Sequence, residues 1–160
     1  ISIQFRDLIF MLLEEILTVD RCHCKLTGVS KKRLLTRVSE LIAKNIAALE
    51  ADDIFNALMA REQLGTTGLG NGIAIPHCRV PLCQEIIGTL ITLEEAIDFD
   101  AVDGGPVDLL FALIVPEQKT DDHIQTLAAI AELFNDEDFC FTLRHTHDTE
   151  DLFNIAVTYK

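Results

Sequence analysis

The feature that most constrains the fold is a nearly unbroken apolar segment at residues 107–115, which Pro116 closes. Strands covered on both faces have continuous apolar runs of this kind, whereas strands with one face in water alternate apolar and polar residues. Proline favours an end at this point because it has no backbone N–H to donate to a neighbouring strand. The segment is therefore predicted to be a central strand buried on both faces.

Shorter helix and strand patterns surround this strand along the chain. Strands are predicted over residues 19–26, 72–75 and 86–93, with a further extended piece over residues 96–99. Helices are predicted over residues 31–48 with Ser30 as N-cap, from Asp52 or Asp53 to about Glu62, from Asp121 or Asp122 to Phe134, and over residues 139–144 and 150–157. Interleaved strands and helices predict an α/β sandwich with a mixed sheet.

Chain length and apolar content bound the organisation. A chain of 160 residues is predicted to form one domain, residues 1–160, with residues 1–16 as an apolar lead-in of helical character. No apolar run approaches the roughly 20 residues that a membrane-spanning helix needs. Neither a basic start nor a small-residue cleavage site predicts a signal peptide. We therefore expect a cytoplasmic protein that does not span a membrane.

Charge and cysteine content argue against a nucleic-acid-binding protein, a disulfide-bonded protein and a zinc protein. The formal net charge is -13 at pH 7, so no basic stripe exists to replace counterions on nucleic acid, although a basic protein partner is compatible with this charge. The five cysteines are expected to be reduced thiols. The Cys and His groups within residues 22–24 and 77–83 do not have the spacing of a standard zinc site, so no metal is predicted.

The chemical signal is concentrated in residues 61–77, which read REQLGTTGLGNGIAIPH. Four glycines let backbone amides approach an anion closely, and two threonine hydroxyls add donors. The segment ends at His77, and histidine is a side chain that is a neutral nucleophile near pH 7. An anion-binding loop followed by a nucleophilic imidazole predicts a phosphohistidine site.

Residues 72–77, Gly-Ile-Ala-Ile-Pro-His, resemble the phosphorylation-site motif of the enzyme IIA components of the bacterial phosphotransferase system, in the mannitol, fructose and nitrogen-regulatory class. The resemblance extends from about Leu17 to about Ala156 and includes residues 106–116 and 122–124. It is closest to the nitrogen-regulatory branch. The resemblance implies a small mixed sheet with helices packed on both faces, and a phosphoryl group carried on Nε2 of His77.

Further site residues follow from the same resemblance. His123 is expected to lie beside His77 and to donate a hydrogen bond to the phosphoryl oxygens, and Arg61 to bind those oxygens through its planar fork. Glu62 is expected to fix Arg61 or the loop. Serine is frequent in the family where this chain has Thr66, and glycine where it has Cys78. No cofactor is implied. The expected phosphoryl-binding residues are Thr66, Thr67, Gly68, Gly70 and Gly72.

The resemblance implies a phosphoryl carrier that accepts phosphate from a histidine-containing phosphocarrier and regulates target proteins according to its phosphorylation state. The alternative within the family is a sugar-specific enzyme IIA that passes the phosphoryl group to a IIB domain. A binding module in which His77 is never phosphorylated is a weaker alternative, and a nucleotide-binding enzyme is disfavoured because no Gly-Lys-Ser/Thr ending follows the loop. Leu69 and Ile73 are candidates for partner contact or for the core.

Overall fold

The computed structural model describes residues 5–27, 30–118 and 121–159, except the side chains of residues 5–7, 11, 121 and 122. Six α-helices lie in these ranges: α1 Phe5–Ile16, α2 Lys31–Asn45, α3 Ala51–Leu64, α4 Asp121–Leu133, α5 Glu137–Arg144 and α6 Thr149–Thr158. The strands are β1 Cys22–Leu26, β2 Gly68–Gly70, β3 Ile73–Ala74, β4 His77–Val80, β5 Ile87–Ile97 and β6 Val107–Pro116. Within the described ranges, no helix is long and apolar enough to cross a membrane.

The strands form one mixed sheet around β6, in the order β1-β5-β6-β3-β2. β5 runs antiparallel to β6 on one side. On the other side β3 and then β4 pair in parallel with successive parts of β6, at Leu109–Leu110 and at Leu113–Pro116. Because Ile75 and Pro76 separate β3 from β4, His77 opens a new strand beside the second half of β6.

Both faces of β6 are covered, as its apolar run predicts. Leu109, Phe111 and Leu113 pack with residues of α1, α4, α5 and α6. Leu110 and Ala112 point the other way and pack with residues of α2 and α3. The predicted mixed α/β sandwich with helices on both faces is therefore confirmed.

Several predicted boundaries are wrong in detail. The two extended pieces predicted over residues 86–93 and 96–99 are one strand, β5, which begins at Ile87 and ends at Ile97. The start of the first predicted strand is a 3₁₀ turn, Val19–Arg21. The helix predicted over residues 31–48 ends at Asn45, although Ser30 caps it as expected. Asp52 and Asp53 lie in the first turn of α3, where carboxylates favour the positive end of the helix dipole without capping it. Asp121 and Asp122 likewise lie inside α4.

The lead-in segment carries part of the core. Ile9, Phe10, Leu13 and Ile16 of α1 are buried against the cluster that contains α4, α5 and α6. The first part of this segment, residues 1–4, lies outside the described residues.

Candidate functional site

His77 is held at the start of β4 by pairing with β6. The Leu113 N–H donates to the Pro76 carbonyl at 2.8 Å, and His77 lies in register with Leu113. Cys78 is buried in the cluster with α2 and α3, so strand alternation turns His77 and Arg79 towards the opposite face, on which α4 lies. The short strand, which was not predicted, thus aims both side chains at one place.

Two hydrogen bonds fix the protonation of the His77 ring. Its Nδ1 lies 2.8 Å from the Ile75 carbonyl, and its Nε2 lies 3.2 Å from Nε of Arg61. A carbonyl only accepts and a guanidinium only donates, so Nδ1 carries the proton and Nε2 presents a lone pair. Burial is the main cause that lowers the pKa of His77 below its ordinary value, and the charges of Arg61 and Arg79 lower it further.

These residues line a cavity of about 560 Å³ between α3 and α4. Its walls are mainly apolar, with a few converging polar groups, which is the usual composition of a ligand or substrate site. Arg61, His77 and His123, all predicted from the sequence, meet here. The remaining lining residues are Ala57, Ala60, Leu64, Cys78, Arg79, Leu113, Val115, Ile124 and Leu127.

His123 lies in the first turn of α4 and is half-buried. Its Nδ1 is buried and makes no hydrogen bond to any described residue. Buried polar atoms are normally paired, so this nitrogen has an unmet hydrogen bond, and His123 is at the same time one of the residues that line the cavity. His123 therefore lines the same cavity as His77, and its role as a donor to the phosphoryl oxygens stays a prediction.

Arg61 and Glu62 are adjacent in α3 but have different contacts: Arg61 binds the His77 ring, whereas Glu62 binds the loop that follows α3. Arg61 also donates through Nη1 to the Gly65 carbonyl at 2.9 Å, which fixes its guanidinium at the helix end. Glu62 is buried, forms a 2.7 Å ion pair with Lys31, and accepts from the backbone N–H of Thr67. Of the two expectations for Glu62, the structure favours the one in which it fixes the loop. Lys31 was missed because no local pattern links it to Glu62.

The two threonine hydroxyls are used inside the loop. Thr66 Oγ1 donates to the Phe99 carbonyl at 3.0 Å. Thr67 is 3 % exposed, and its hydroxyl donates to the Glu62 carboxylate. Neither residue lines the cavity around His77. In this arrangement both hydroxyl protons are committed to other acceptors, which is at odds with their predicted role as phosphoryl donors.

The predicted glycine cradle is displaced from the nucleophile. Gly72 lies beside Asp108, whose N–H donates to the Gly72 carbonyl, while His77 lies beside Leu113. Five residues of extended chain separate the two positions, about 16 Å at ~3.3 Å per residue. Gly70 ends β2 just before the turn that contains Gly72, and it lies against Asp103. Gly68 packs against Ala101. These glycines shape the β2–β3 turn, and contact with a phosphoryl group on His77 is not supported for them.

Among the described residues, the other cysteines and histidines add neither a second nucleophile nor a set of metal ligands to the site. Burial raises the pKa of the Cys78 thiol to about 12, so it remains protonated and unreactive. His145 and His147 are exposed, as expected. Within the described parts of the chain, no group of three or more His, Cys, Asp or Glu residues is placed to hold a metal ion.

The fold and the cavity together define an enzyme IIA-type domain of a phosphotransferase system. The chain belongs to the family described as "Phosphoenolpyruvate-dependent sugar phosphotransferase system, EIIA 2", whose model matches residues 15–157. More particularly, it is 46% identical over 145 residues to a protein of Pseudomonas aeruginosa named nitrogen regulatory protein, covering 91% of this chain and 94% of that protein.

Two solved structures extend the comparison. The crystal structure of nitrogen regulatory protein IIA-Ntr from Neisseria meningitidis superposes with a TM-score of 0.84 at 36% identity, covering 91% of this chain and 99% of that chain. The Escherichia coli enzyme IIA for mannitol, solved in complex with phosphorylated enzyme IIB, superposes with a TM-score of 0.72 at 19% identity, covering 88% of this chain and 96% of that chain. At this lower identity the second likeness concerns the fold alone.

Proposed function

We propose that this protein is a cytoplasmic phosphoryl carrier that accepts a phosphoryl group on Nε2 of His77 and acts on regulatory target proteins according to its phosphorylation state. The observation that carries the proposal is the His77 imidazole, which has its proton fixed on Nδ1 and its lone pair on Nε2 within a cavity that contains two arginines. Similarity to proteins named nitrogen regulatory protein supports the regulatory branch.

The chemistry requires a nucleophile and stabilisation of charge. The Nε2 lone pair forms a new N–P bond while the N–P bond of the donor phosphohistidine breaks, and the electron pair of that bond returns to the donor ring. No base is needed, since Nε2 carries no proton. The ring becomes positively charged on attack, and the Ile75 carbonyl stabilises the charged Nδ1–H that points at it.

Arg61 changes partners during this step. In the unphosphorylated protein its Nε–H occupies the Nε2 lone pair and holds the ring in place. It releases that lone pair before attack, and its several N–H groups then suit the oxygens of the arriving phosphoryl group. His123 stands in the same cavity as a second donor. Together they replace the donor set that the sequence placed in the glycine loop.

The donor protein is a histidine-containing phosphocarrier, which has to bring its phosphorus within bonding distance of Nε2. Leu64 and Ile124 line the cavity with 85% and 63% of their surfaces exposed. Exposed apolar side chains at the mouth of a reactive site favour contact with another protein. Leu69, by contrast, lies in β2 away from the cavity, and Ile73 is buried in the core.

The sugar-specific alternative uses the same chemistry and differs in the acceptor. The fold shared with a mannitol enzyme IIA that was solved with phosphorylated enzyme IIB is the observation in its favour. The two functions separate when the phosphorylated protein is offered IIB domains, and when wild type and His77→Asp are compared in pull-downs. A regulatory protein recovers different partners in the two forms, whereas a simple relay recovers the same ones.

Intact-mass measurement tests the carrier function. The protein is incubated with phosphoenolpyruvate, the first enzyme of the phosphotransferase system and the phosphocarrier. One added phosphate is expected for wild type and for the control variant His145→Ala. His145 is a suitable control because it is exposed and caps the C-terminal end of α5. No added mass is expected for His77→Ala. An unlabelled wild type, or a labelled His77→Ala, contradicts the proposal.

A further inference from the structure

A second arginine lies on the same face of β4 as His77. Arg79 is two residues further along the strand, about 7 Å away, and neighbouring Cys78 and Val80 are both buried on the opposite side. Arg79 pairs in register with Val115 as His77 does with Leu113, and these four residues line the cavity.

The Arg79 guanidinium is weakly engaged in the unphosphorylated protein. Its one hydrogen bond to a described residue is from Nη1 to the Gln118 carbonyl, at 3.4 Å and exposed to solvent. That distance lies beyond the usual range for an N–H···O bond. No described carboxylate lies within ion-pair distance of it, although the protein as a whole carries a net charge of -13.

A phosphoryl group on His77 would give the Arg79 guanidinium a negatively charged partner. It adds about -1.5 to -2 of charge at the cavity. Arg61 contacts the His77 ring from α3, and Arg79 lines the same cavity from β4, so two guanidinium groups come to the cavity from different elements. We infer that Arg79 leaves the Gln118 carbonyl and binds an oxygen of the phosphoryl group on His77, as a second charge-stabilising residue. This inference rests on the proposed function.

An alternative is that Arg79 only tethers the connection that leads from β6 to α4 and His123. The two roles predict different measurements. A tether acts through backbone position and does not change the ionisation of the phosphoryl oxygens. A guanidinium in contact with those oxygens favours their fully ionised form, and its removal raises their second pKa.

The test is phosphorus NMR on phosphorylated wild type, Arg79→Gln, Arg79→Lys and the control Arg37→Gln, whose side chain is exposed on α2. Each protein is phosphorylated by the phosphocarrier and, separately, by the small-molecule donor phosphoramidate. We expect the second pKa of the phosphoryl group to rise in Arg79→Gln, to stay near wild type in Arg79→Lys, and to be unchanged in Arg37→Gln. The equilibrium constant for phosphorylation by the carrier should be about 10-fold lower for Arg79→Gln than for wild type, which corresponds to the low end of the energy of a charge-assisted hydrogen bond.

Two donors keep this inference separate from the proposed function. If the carrier fails to label wild type but phosphoramidate does, the carrier function fails while the contact is still measured by the pKa shift. An unchanged second pKa in folded Arg79→Gln overturns the inference, as does a loss seen only with the carrier, which would place Arg79 in contact with the carrier protein. Failure of both donors to label His77 overturns both.

Discussion

Nδ1 of His77 lies 2.8 Å from the carbonyl oxygen of Ile75, only two residues earlier in the chain. The bond is possible because residues 75 and 76 form the short break between β3 and β4, where the Ile75 carbonyl is free of the β6 ladder and points at the ring. A backbone acceptor of this kind selects the tautomer, as it does for metal-binding histidines. The reactive atom is therefore specified by local backbone geometry.

The pH dependence of labelling follows from the His77 environment. Because burial and two nearby arginines lower the pKa of His77, its Nε2 stays unprotonated below the ordinary histidine value of about 6.5. The rate of labelling by phosphoramidate, corrected for ionisation of the donor, should be flat from about pH 8 to about 6.5 and decline only in more acidic solution. An NMR titration of the His77 ring should give the same inflection. An inflection at or above the ordinary value would contradict this environment.

The same shift links His77 to stability. Because its pKa is lowered on folding, the unfolded chain binds this proton first as the pH falls. Stability is therefore lost as the pH falls through the unfolded value of about 6.5, and the loss stops growing below the folded value. Urea unfolding of wild type and His77→Gln should diverge over this window, with the variant less sensitive to acid. Parallel curves would show that the folded protein does not disfavour the imidazolium.

Partner docking should depend on the apolar mouth of the cavity. Leu64→Asp and Ile124→Asp should raise the concentration of phosphocarrier needed for half-maximal labelling about 10-fold or more, since each replaces an apolar contact with a carboxylate that docking would have to desolvate. Val102→Asp is the matched control, because Val102 is 76% exposed and does not line the cavity. Labelling by phosphoramidate should be unchanged in all three. Equal effects from Val102→Asp would mean that net charge, not this surface, governs docking.

Thr67→Val separates a structural hydroxyl from a phosphoryl donor. Removal of the hydroxyl takes one bond from the buried Glu62 carboxylate, and such losses typically cost about 1–3 kcal/mol. Denaturant unfolding should report that loss, while phosphoramidate still labels His77. Thr36→Val, which loses a hydroxyl bonded to the Lys32 carbonyl on the surface of α2, should lose less stability. A stable Thr67→Val protein that no longer accepts phosphate would restore the role predicted from the sequence.

Gly72 and Gly104 offer a matched pair of substitutions. Both have positive φ, +81° and +75°, so alanine strains the backbone at each. A Cβ on Gly72 would lie 2.6 Å from Nη2 of Arg144, which binds the Asn71 carbonyl, whereas a Cβ on Gly104 meets nothing within 4 Å. Gly72→Ala should therefore lower the unfolding free energy more than Gly104→Ala does, with labelling of His77 retained in both. Equal losses would show that strain alone accounts for Gly72.

The sequence predicts the large elements of this fold because their signals are local. The apolar run of β6 and the capped, periodic pattern of α2 each lie within a single segment. β4 was missed because it has only four residues, and its strand conformation is set by pairing with β6. Without β4, the sequence also could not predict that His77 and Arg79 lie on the same face, because side chains alternate between two faces only within a strand.

His77 stays the predicted reactive residue, and the structure places it in one cavity with Arg61 and His123 but places the predicted glycines elsewhere. Arg61 and His123 reach the His77 cavity from separate helices, and the family resemblance carried that long-range information. The glycines were assigned by proximity in sequence, but five residues of extended chain carry Gly72 to the other part of β6. Glycine there serves a tight turn against Arg144 and Asp108. A glycine-rich loop indicates close backbone approach without saying what approaches it.

The most direct test is the identity of the phosphorylated atom. Nitrogen–phosphorus correlation NMR on ¹⁵N-labelled protein, phosphorylated by the carrier and digested only after the spectrum is recorded, assigns the phosphorus to one ring nitrogen of one histidine. The hydrogen bonds to Ile75 and Arg61 predict a single adduct on Nε2 of His77, with Nδ1 protonated when the ring is charged. A phosphorus bonded to Nδ1 of His77, or to any other histidine, would contradict the assignment of Nε2 of His77 as the phosphorylated atom.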